Sequence, residues 1–377
     1  MRRVARWHGA AHAGVEEELL LVDPATREAA PRSQQVLKYA AEHGLPSEDL
    51  DHELFRHQLE TRTPPVTSLA ELREHVVRAR RAAAEAAEGA GLRTVAAGAA
   101  PLGSGEPRAT RDDRYQAMVD TFGEVARPAG TCAMHVHVQV ASDEEGVRVV
   151  DALRPWLPAL LAVSANSPFY RGRDTRHASW RSQAWAGWPS AGPTERFGDV
   201  ETYRRVCREL IASGAARDEG ILYFDARLSQ RYPTVEVRVT DVCTDPDDAV
   251  LVAALARGLV TQAAGPDAAA ARGPAAGQWR AELLRAAQWR AARYGLAGQL
   301  LDPGTGEPVP ARDVLEALVD TVAGHLGDDL ALVREGVDRV LAEGGSVRQR
   351  AAYERSGGSI EAVVDDLVER TNRAATG

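Results

Sequence analysis

The sequence predicts an α+β chain in which a sheet turns a polar face to a site and an apolar face to helices. Three observations predict it. The stretches Gly14-Val15-Glu16-Glu17-Glu18-Leu19, Met134-His135-Val136-His137-Val138-Gln139-Val140 and Thr234-Val235-Glu236-Val237-Arg238-Val239 alternate ionisable or polar residues with apolar ones. That is the period of strands, whose successive side chains point to opposite faces. Ala, Arg and Glu are abundant, so helix is plentiful. From Asp245 onward the pattern is mostly helical.

Taken in order, residues 13–22 read as a strand, closed by the turn residues Asp23-Pro24-Ala25-Thr26. Ser33 to about Glu42 reads as a helix. A strand or strand pair covers 49–62 and stops at Thr63-Pro64-Pro65, since proline donates no ladder hydrogen bond. Thr67 or Ser68 caps a helix through about Glu88, with Leu69, Leu72, Val76 and Val77 on its apolar stripe. Leu92 to Ala97 fits a short buried strand, and Arg111 to Val125 a helix leading into the strand at 131–140. Ser142 caps the next helix, which Pro155 and Pro158 interrupt. Residues 164–198 hold Trp180, Trp185, Trp188 and arginines 171, 173, 176, 181 and 196 without a sustained period, the mark of a long functional loop. Strands near 221–228 and 234–240 form a hairpin around Ser229-Gln230-Arg231-Tyr232-Pro233. Gly265-Pro266 and residues 302–310 punctuate the helical remainder. With no repeat and no linker, residues 1–377 read as one domain with a helical C-terminal third.

Composition narrows the function. Hydrophobic residues make up 44% and charged residues 26%, the balance of a globular chain with a sizeable core. The net charge of −9, with no basic block, argues against a nucleic-acid partner. Cys132, Cys207 and Cys243 stand far apart, which supports neither a zinc knuckle nor a disulfide framework. No apolar stretch follows the basic start Met1-Arg2-Arg3-Val4-Ala5-Arg6, and no 18-residue apolar run spans a membrane, so the expected compartment is the cytoplasm.

The alternating stretches carry the chemistry. Alternation places Glu16 and Glu18 on one face, with Glu17 turned away; His135, His137 and Gln139 share a face, as do Glu236 and Arg238. A run of three acids is commonly a solvated patch, but Val15 and Leu19-Leu20-Leu21-Val22 flank this one and argue for burial. Acids and imidazoles crowded together are costly unless cations neutralise them, and carboxylate oxygens suit Mg²⁺ or Mn²⁺. His-x-His also fits zinc, though no equally clear further ligands accompany it. Glu236 and Arg238 read either as a structural ion pair or as a metal ligand beside an arginine facing a phosphoryl group. Glu53 and Glu60, seven residues apart, would fall on opposite faces of one strand and converge only across a bulge or turn. Gly98 to Gly105 is glycine-rich but lacks the lysine of a phosphate loop.

In this order, Gly14-Val15-Glu16-Glu17-Glu18-Leu19, His135-Val136-His137-Val138, Asn166-Ser167-Pro168-Phe169-Tyr170-Arg171-Gly172-Arg173-Asp174-Thr175, Arg181-Ser182-Gln183-Ala184-Trp185 and Thr234-Val235-Glu236-Val237-Arg238 resemble the glutamate–cysteine ligase type 2 group, the carboxylate–amine ligase family, from about residue 8 to 370. The resemblance implies a glutamine synthetase/guanidino kinase-like curved antiparallel sheet with helices on its outer face. It implies ATP-dependent joining of a carboxylate to an amine through an acyl phosphate, with Mg²⁺. By motif position it implies a metal shell of Glu16, Glu18, Glu53, Glu60, His135 and Glu236, and Arg238 near the transferred phosphoryl group. It places Arg171, Arg176 and Arg181 among substrate- or nucleotide-binding arginines, and it is compatible with a homo-oligomer acting on amino acids. Where relatives carry Gly-Tyr ahead of Ala-Ser, this chain has Arg176-His177, a change at the implied rim of the acceptor pocket that leaves the amine open. A guanidino phosphotransferase, a metal-dependent hydrolase and a non-catalytic nucleotide-binding protein are the rival readings.

Overall fold

The computed structural model describes residues 11–46, 50–103, 110, 113–126, 130–265 and 279–373, with the backbone alone at 113–115. The basic N-terminus, Gly105, Arg111 at the expected start of a helix, and Pro266 lie outside the described residues.

Strand β1 (Ala13–Val22) is followed by α1 (Ser33–Glu42), β2 (Leu50–His52), β3 (Gln58–Arg62), α2 (Leu69–Gly89) and β4 (Arg93–Val95). Next come α3 (Asp113–Phe122), β5 (Ala133–Gln139), α4 (Asp143–Leu153) and α5 (Leu157–Ser164). The long loop holds a small hairpin, β6 (Phe169–Tyr170) and β7 (Arg173–Asp174), and the short helix α6 (Trp180–Trp185). Then follow α7 (Val200–Ala212), β8 (Ala226–Leu228), β9 (Thr234–Asp241), α8 (Pro246–Ala264) and α9 (Ala281–Tyr294). The hairpin β10 (Gln299–Leu301) and β11 (Pro308–Pro310) precedes α10 (Ala311–Val322), α11 (Leu330–Glu343), α12 (Gly345–Arg355) and α13 (Ile360–Arg373).

Local chemistry sets the element ends. The Ser68 hydroxyl accepts from Glu71 N at 3.3 Å and starts α2, and the Ser142 hydroxyl accepts from Glu145 N at 3.2 Å and starts α4. Pro155 falls in the break between α4 and α5, and Pro158 sits in the first turn of α5, where its missing N–H costs nothing. The segment 302–310, expected only as punctuation, closes as the β10–β11 hairpin.

Seven strands form an antiparallel sheet in the order β2-β3-β1-β5-β9-β8, with β4 paired to the far end of β1. Val15, Leu19, Val136, Val138, Val235 and Val237 are buried on one face. Helices α2, α4, α5, α8 and α13 pack on the sheet, and all but α13 include its long strands among their contacts. α8 is buried nearly all round and also touches α10 and α11, as a helix apolar on every side must be. Glu17 points to this helical side, where Arg80 of α2 holds its carboxylate at 2.6 and 2.8 Å and also donates to the Cys243 and Thr244 carbonyls.

A smaller cluster of Leu54, Phe55, Met118, Ala126, Trp188 and Ile221, joined by Trp185 and Tyr223, packs beside the polar face of the sheet. Gly98 approaches the end of β9 so closely that a Cβ there would lie 2.6 Å from the Asp241 carboxylate. The glycine-rich start at Gly98 is therefore a packing requirement of the strand end.

Candidate active site on the polar face of the sheet

Register converts the sequence pattern into a site. Arg62, Glu16 and His135 are cross-strand neighbours in one row over β3, β1 and β5. Asp51, Glu60 and Glu18 form a second row over β2, β3 and β1. His137, Glu236 and Arg227 form a third over β5, β9 and β8. The β5–β9 register shifts between Met134 and Val136, so His135 stands at an irregularity, the kind of place where a strand re-aims a side chain.

The side chains meet. His135 Nδ1 and His137 Nε2 each lie 3.5 Å from Glu16 Oε2, and His135 Nδ1 lies 3.9 Å from Glu236 Oε1. Ligand atoms of Glu16, His137 and Glu236 all fall within 4.8 Å of one another. Glu18 Oε2 accepts from Ala133 N at 2.8 Å. Glu53 and Glu60 converge because residues 53–57 turn between β2 and β3, which removes the opposite-face problem of one continuous strand. A cavity of about 390 Å³ is lined by Glu16, Glu18, Asp51, Glu53, Glu60, His135, His137, Arg227, Glu236 and Arg238, with Trp185 and Tyr223 at its side.

The charge balance favours a cation. At Glu16 burial alone would raise the carboxyl, but hydrogen bonds and charge from His135 and His137 hold it well below the usual carboxylate range. Burial also opposes ionisation at Glu236, where Arg238, Arg227 and the two histidines overcome it and hold the carboxyl low. Glu53 goes the other way: burial, then the charges of Glu18 and Glu60, push it up. Glu60 is pushed up to about 7 by burial and by Glu16, against the pull of Arg62. Burial, then Arg238, lowers His135. Like charges at this density disfavour one another's ionised forms until a cation enters. Among the described residues the buried Nε2 of His135 has no hydrogen-bond partner, and His137 Nε2 reaches Glu16 Oε2 at 3.5 Å. Six carboxylates line this cavity, and with these imidazoles they form a donor set that fits Mg²⁺ or Mn²⁺.

Two more cavities flank this one. An inner cavity of about 200 Å³ shares Glu18, His135, Trp185, Tyr223 and Arg238 with it and adds Arg181, Asp225, Arg285, Gln288 and Trp289. An outer cleft of about 600 Å³ shares Glu16, Arg62, His137 and Tyr232 and is walled by Pro64, Pro65 and Pro233.

Of the sequence-derived candidates, Glu16, Glu18, Glu53, Glu60, His135, Glu236 and Arg238 line the central cavity, and Arg181 lines the inner one. Arg171 and Arg176 do not join them. Both are exposed, at positive φ of 50° and 59° in the β6–β7 region, and neither lines any of the three cavities. The Arg176 carbonyl instead accepts from Arg293, and Arg171 lies over the Tyr170 ring at 5.1 Å. The Arg176-His177 pair is likewise away from the cavity rims, with His177 against Trp180.

Sequence reasoning missed Arg227, whose Nε donates to Glu236 Oε2 at 2.8 Å while its NH1 reaches the carbonyls of Glu219, Gly220 and Leu222. It also missed Arg62, which bonds Glu60 at 2.8 Å and Asp51 at 3.1 Å. The signal for Arg227 was present: it stands between Ala226 and Leu228, a charge alternating with apolar residues in the strand paired to Glu236. The Asn166-Ser167 motif has a structural part, since Asn166 N, Ser167 Oγ and Ser179 Oγ all donate to the buried Asp241 carboxylate.

Comparison with known proteins shows the family and the fold. The chain is 54% identical over 367 residues, 95% of each chain, to the "Putative glutamate--cysteine ligase 2-1" of a Nocardioides species. Among solved structures it superposes on the glutamate–cysteine ligase of Francisella tularensis, crystallised with AMP, with a TM-score of 0.66 at 13% identity, covering 98% of this chain and 89% of that one. On the bifunctional glutathione synthetase of Pasteurella multocida the TM-score is 0.68 at 16% identity, covering 97% of this chain. There the chain spans about half of the larger protein, 53% of its length. At such identities the two structures show a shared fold. A model of the family described as "Glutamate-cysteine ligase family 2" matches residues 12–366, and the chain belongs to that family.

Proposed function

We propose that this chain joins a carboxylate to an amine with cleavage of ATP to ADP and phosphate, passing through an acyl phosphate, and that the acid is glutamate or a close analogue. The reading extends the family membership to this chain's own site. The observation that carries it is the convergence of Glu16, Glu18, Glu53, Glu60, His135, His137 and Glu236 with Arg238 on one face of the sheet.

In this reading Glu16, Glu18, Glu53, Glu60, His135 and Glu236, with His137, hold Mg²⁺ or Mn²⁺. When bound, the metal screens the triphosphate and stabilises charge on the transferring phosphoryl group. The sheet is then of the glutamine synthetase/guanidino kinase type, its polar face serving as the shelf for the nucleotide phosphates. The outer cleft, with its proline walls and Tyr232, suits the base and ribose; the inner cavity, with three arginines and Asp225, suits amino acids. Arg238 faces both the carboxylates and the inner cavity, which is where a phosphoryl group passing from nucleotide to acid needs a fixed positive charge. Arg227 and Arg238 fix the Glu236 carboxylate from two sides. No side chain has to act as a nucleophile, and Cys132, Cys207 and Cys243 are all buried. Among the described residues no helix is long and apolar enough to cross a membrane, and we place the enzyme in the cytoplasm beside its nucleotide.

A screen of acid and amine pairs with purified protein, Mg²⁺ and ATP tests this. The expected result is ADP and phosphate release that requires both partners and yields an amide. A stable phosphorylated product would instead indicate a phosphotransferase, and turnover without ATP a hydrolase.

A further inference from the structure

We propose that Asp225 receives the acceptor amine and takes its proton before the amide bond forms. This rests on the ligase reading above and adds a catalytic residue outside the carboxylate cluster.

The carboxyl of Asp225 is buried in the wall of the inner cavity, just ahead of β8. Its backbone is fixed on both sides: its carbonyl accepts from Arg238 N at 2.8 Å, and its amide donates to Gly192 O at 3.2 Å. The residue is thereby tied to Arg238, beside which the acyl phosphate would form.

What sets Asp225 apart is its lack of saturation. Among the described residues three other aspartates are buried. Asp151 accepts from the Phe197 and Gly198 amides, Asp241 from Asn166, Ser167 and Ser179, and Asp248 from Arg339 and Arg348. Among the described residues Asp225 Oδ1 accepts only from Gln288 Nε2, at 3.0 Å. A buried carboxyl that lines a cavity and has a single neutral partner is built to meet a ligand's donor. Burial pushes it up to about 7, against Gln288 and the charge of Arg181, so it can exchange a proton near neutral pH.

The surrounding charges say what kind of donor. Arg181, Arg238 and Arg285 face the same cavity, and Glu18 and His135 face it from the metal end. Arg181 Nε is buried with no hydrogen-bond partner. An amino acid brings a carboxylate for a guanidinium and an ammonium for Asp225, the one acid besides Glu18 among the described residues of this wall.

The step balances without a further reactant. The ammonium passes one proton to the Asp225 carboxylate and becomes a neutral amine. Its lone pair attacks the acyl carbon, the bond from that carbon to the bridging oxygen breaks, and phosphate departs with the electron pair. The second nitrogen proton leaves with the phosphate, and Asp225 returns its own proton to water at the cavity mouth.

The test compares two acceptors in the full-length Asp225→Asn protein with acid, Mg²⁺ and ATP: an amino acid, which arrives as an ammonium, and hydroxylamine, which is already uncharged at neutral pH. Amide formation should fall about 100-fold or more, while hydroxamate formation stays within about threefold of the unmodified protein. Equal loss with both acceptors, or loss with neither, overturns the proposal. Failure of the ligase reading looks different, because the unmodified protein would then form neither product. Should Asp225→Asn not fold, the pH profile of the unmodified protein decides, taken with acceptor, acid and Mg²⁺–ATP saturating at every pH so that metal binding adds no limb: a rising limb near neutrality for the amino acid and none for hydroxylamine is expected, and a limb shared by both overturns it.

Discussion

Arg227 and Glu236 stand directly opposite each other across the β8–β9 pair, and their side chains meet at 2.8 Å. The guanidinium is held in turn by the carbonyls of Glu219, Gly220 and Leu222, so it anchors both the loop before β8 and the carboxylate at the centre of the site. Arg227→Met leaves those carbonyls and one side of Glu236 unpaired. The expected cost is about 3 kcal/mol in urea unfolding, with kcat reduced alongside it. Unchanged stability would mean that Arg238 alone suffices to hold Glu236.

Glu17 and Glu18 are adjacent in sequence and opposite in role. Glu17 is paired with Arg80 in the helical layer, where both are 2% exposed, whereas Glu18 lines the central cavity. Glu17→Ala strands a buried guanidinium and should lower stability by about 3–5 kcal/mol while kcat of the folded fraction persists. Glu18→Gln should leave the melting temperature nearly unchanged and remove activity. Melting curves and rates measured on both variants check the reversal.

Stability should depend on pH through Asp225. Its carboxyl is raised from 3.8 to about 7, so the folded protein binds the proton more tightly than the unfolded chain does. Between those values stability therefore falls as pH rises, by up to about 1.4 kcal/mol per pH unit from this one group. Asp225→Asn should remove that contribution, seen as a flatter curve of unfolding free energy against pH. Parallel curves for the two proteins would show that Asp225 titrates as it does in the unfolded chain.

Metal binding should release protons. Glu53 is raised, and Glu60 is pushed up to about 7, by burial and by their acidic neighbours. A divalent ion favours their ionised forms, so Mg²⁺ affinity should increase as pH rises through neutrality. Titration calorimetry in two buffers of different ionisation enthalpy measures the protons released. Equal heats in both buffers would contradict the assignment of these two carboxyls to the metal.

Much of this site was legible because strands carry their face in their sequence. The alternation around Glu16, His135 and Glu236 gave β1, β5 and β9 and their shared polar side; of the caps the sequence offered, Thr67 or Ser68 and Ser142, the structure uses Ser68 and Ser142. What alternation cannot give is register or turn geometry. Glu53 and Glu60 came together through the turn at 53–57, and Arg62 and Asp51 through pairing with their neighbours. Asp225 lies just outside β8 and faces the inner cavity through contacts with Gly192, Arg238 and Gln288, all remote or across a strand. Arg171 and Arg176 illustrate the converse. A motif placed them near the site, but the tight β6–β7 turn region puts them in left-handed backbone positions away from its cavities.

The exchange of oxygen between acid and phosphate tests the central claim most directly. With a substrate whose side-chain carboxylate carries oxygen-18, turnover with Mg²⁺, ATP and an amine should place one labelled oxygen in the released inorganic phosphate, with ADP as the other nucleotide product. Label found in AMP, or phosphate released without label, would contradict an acyl phosphate formed on this face of the sheet.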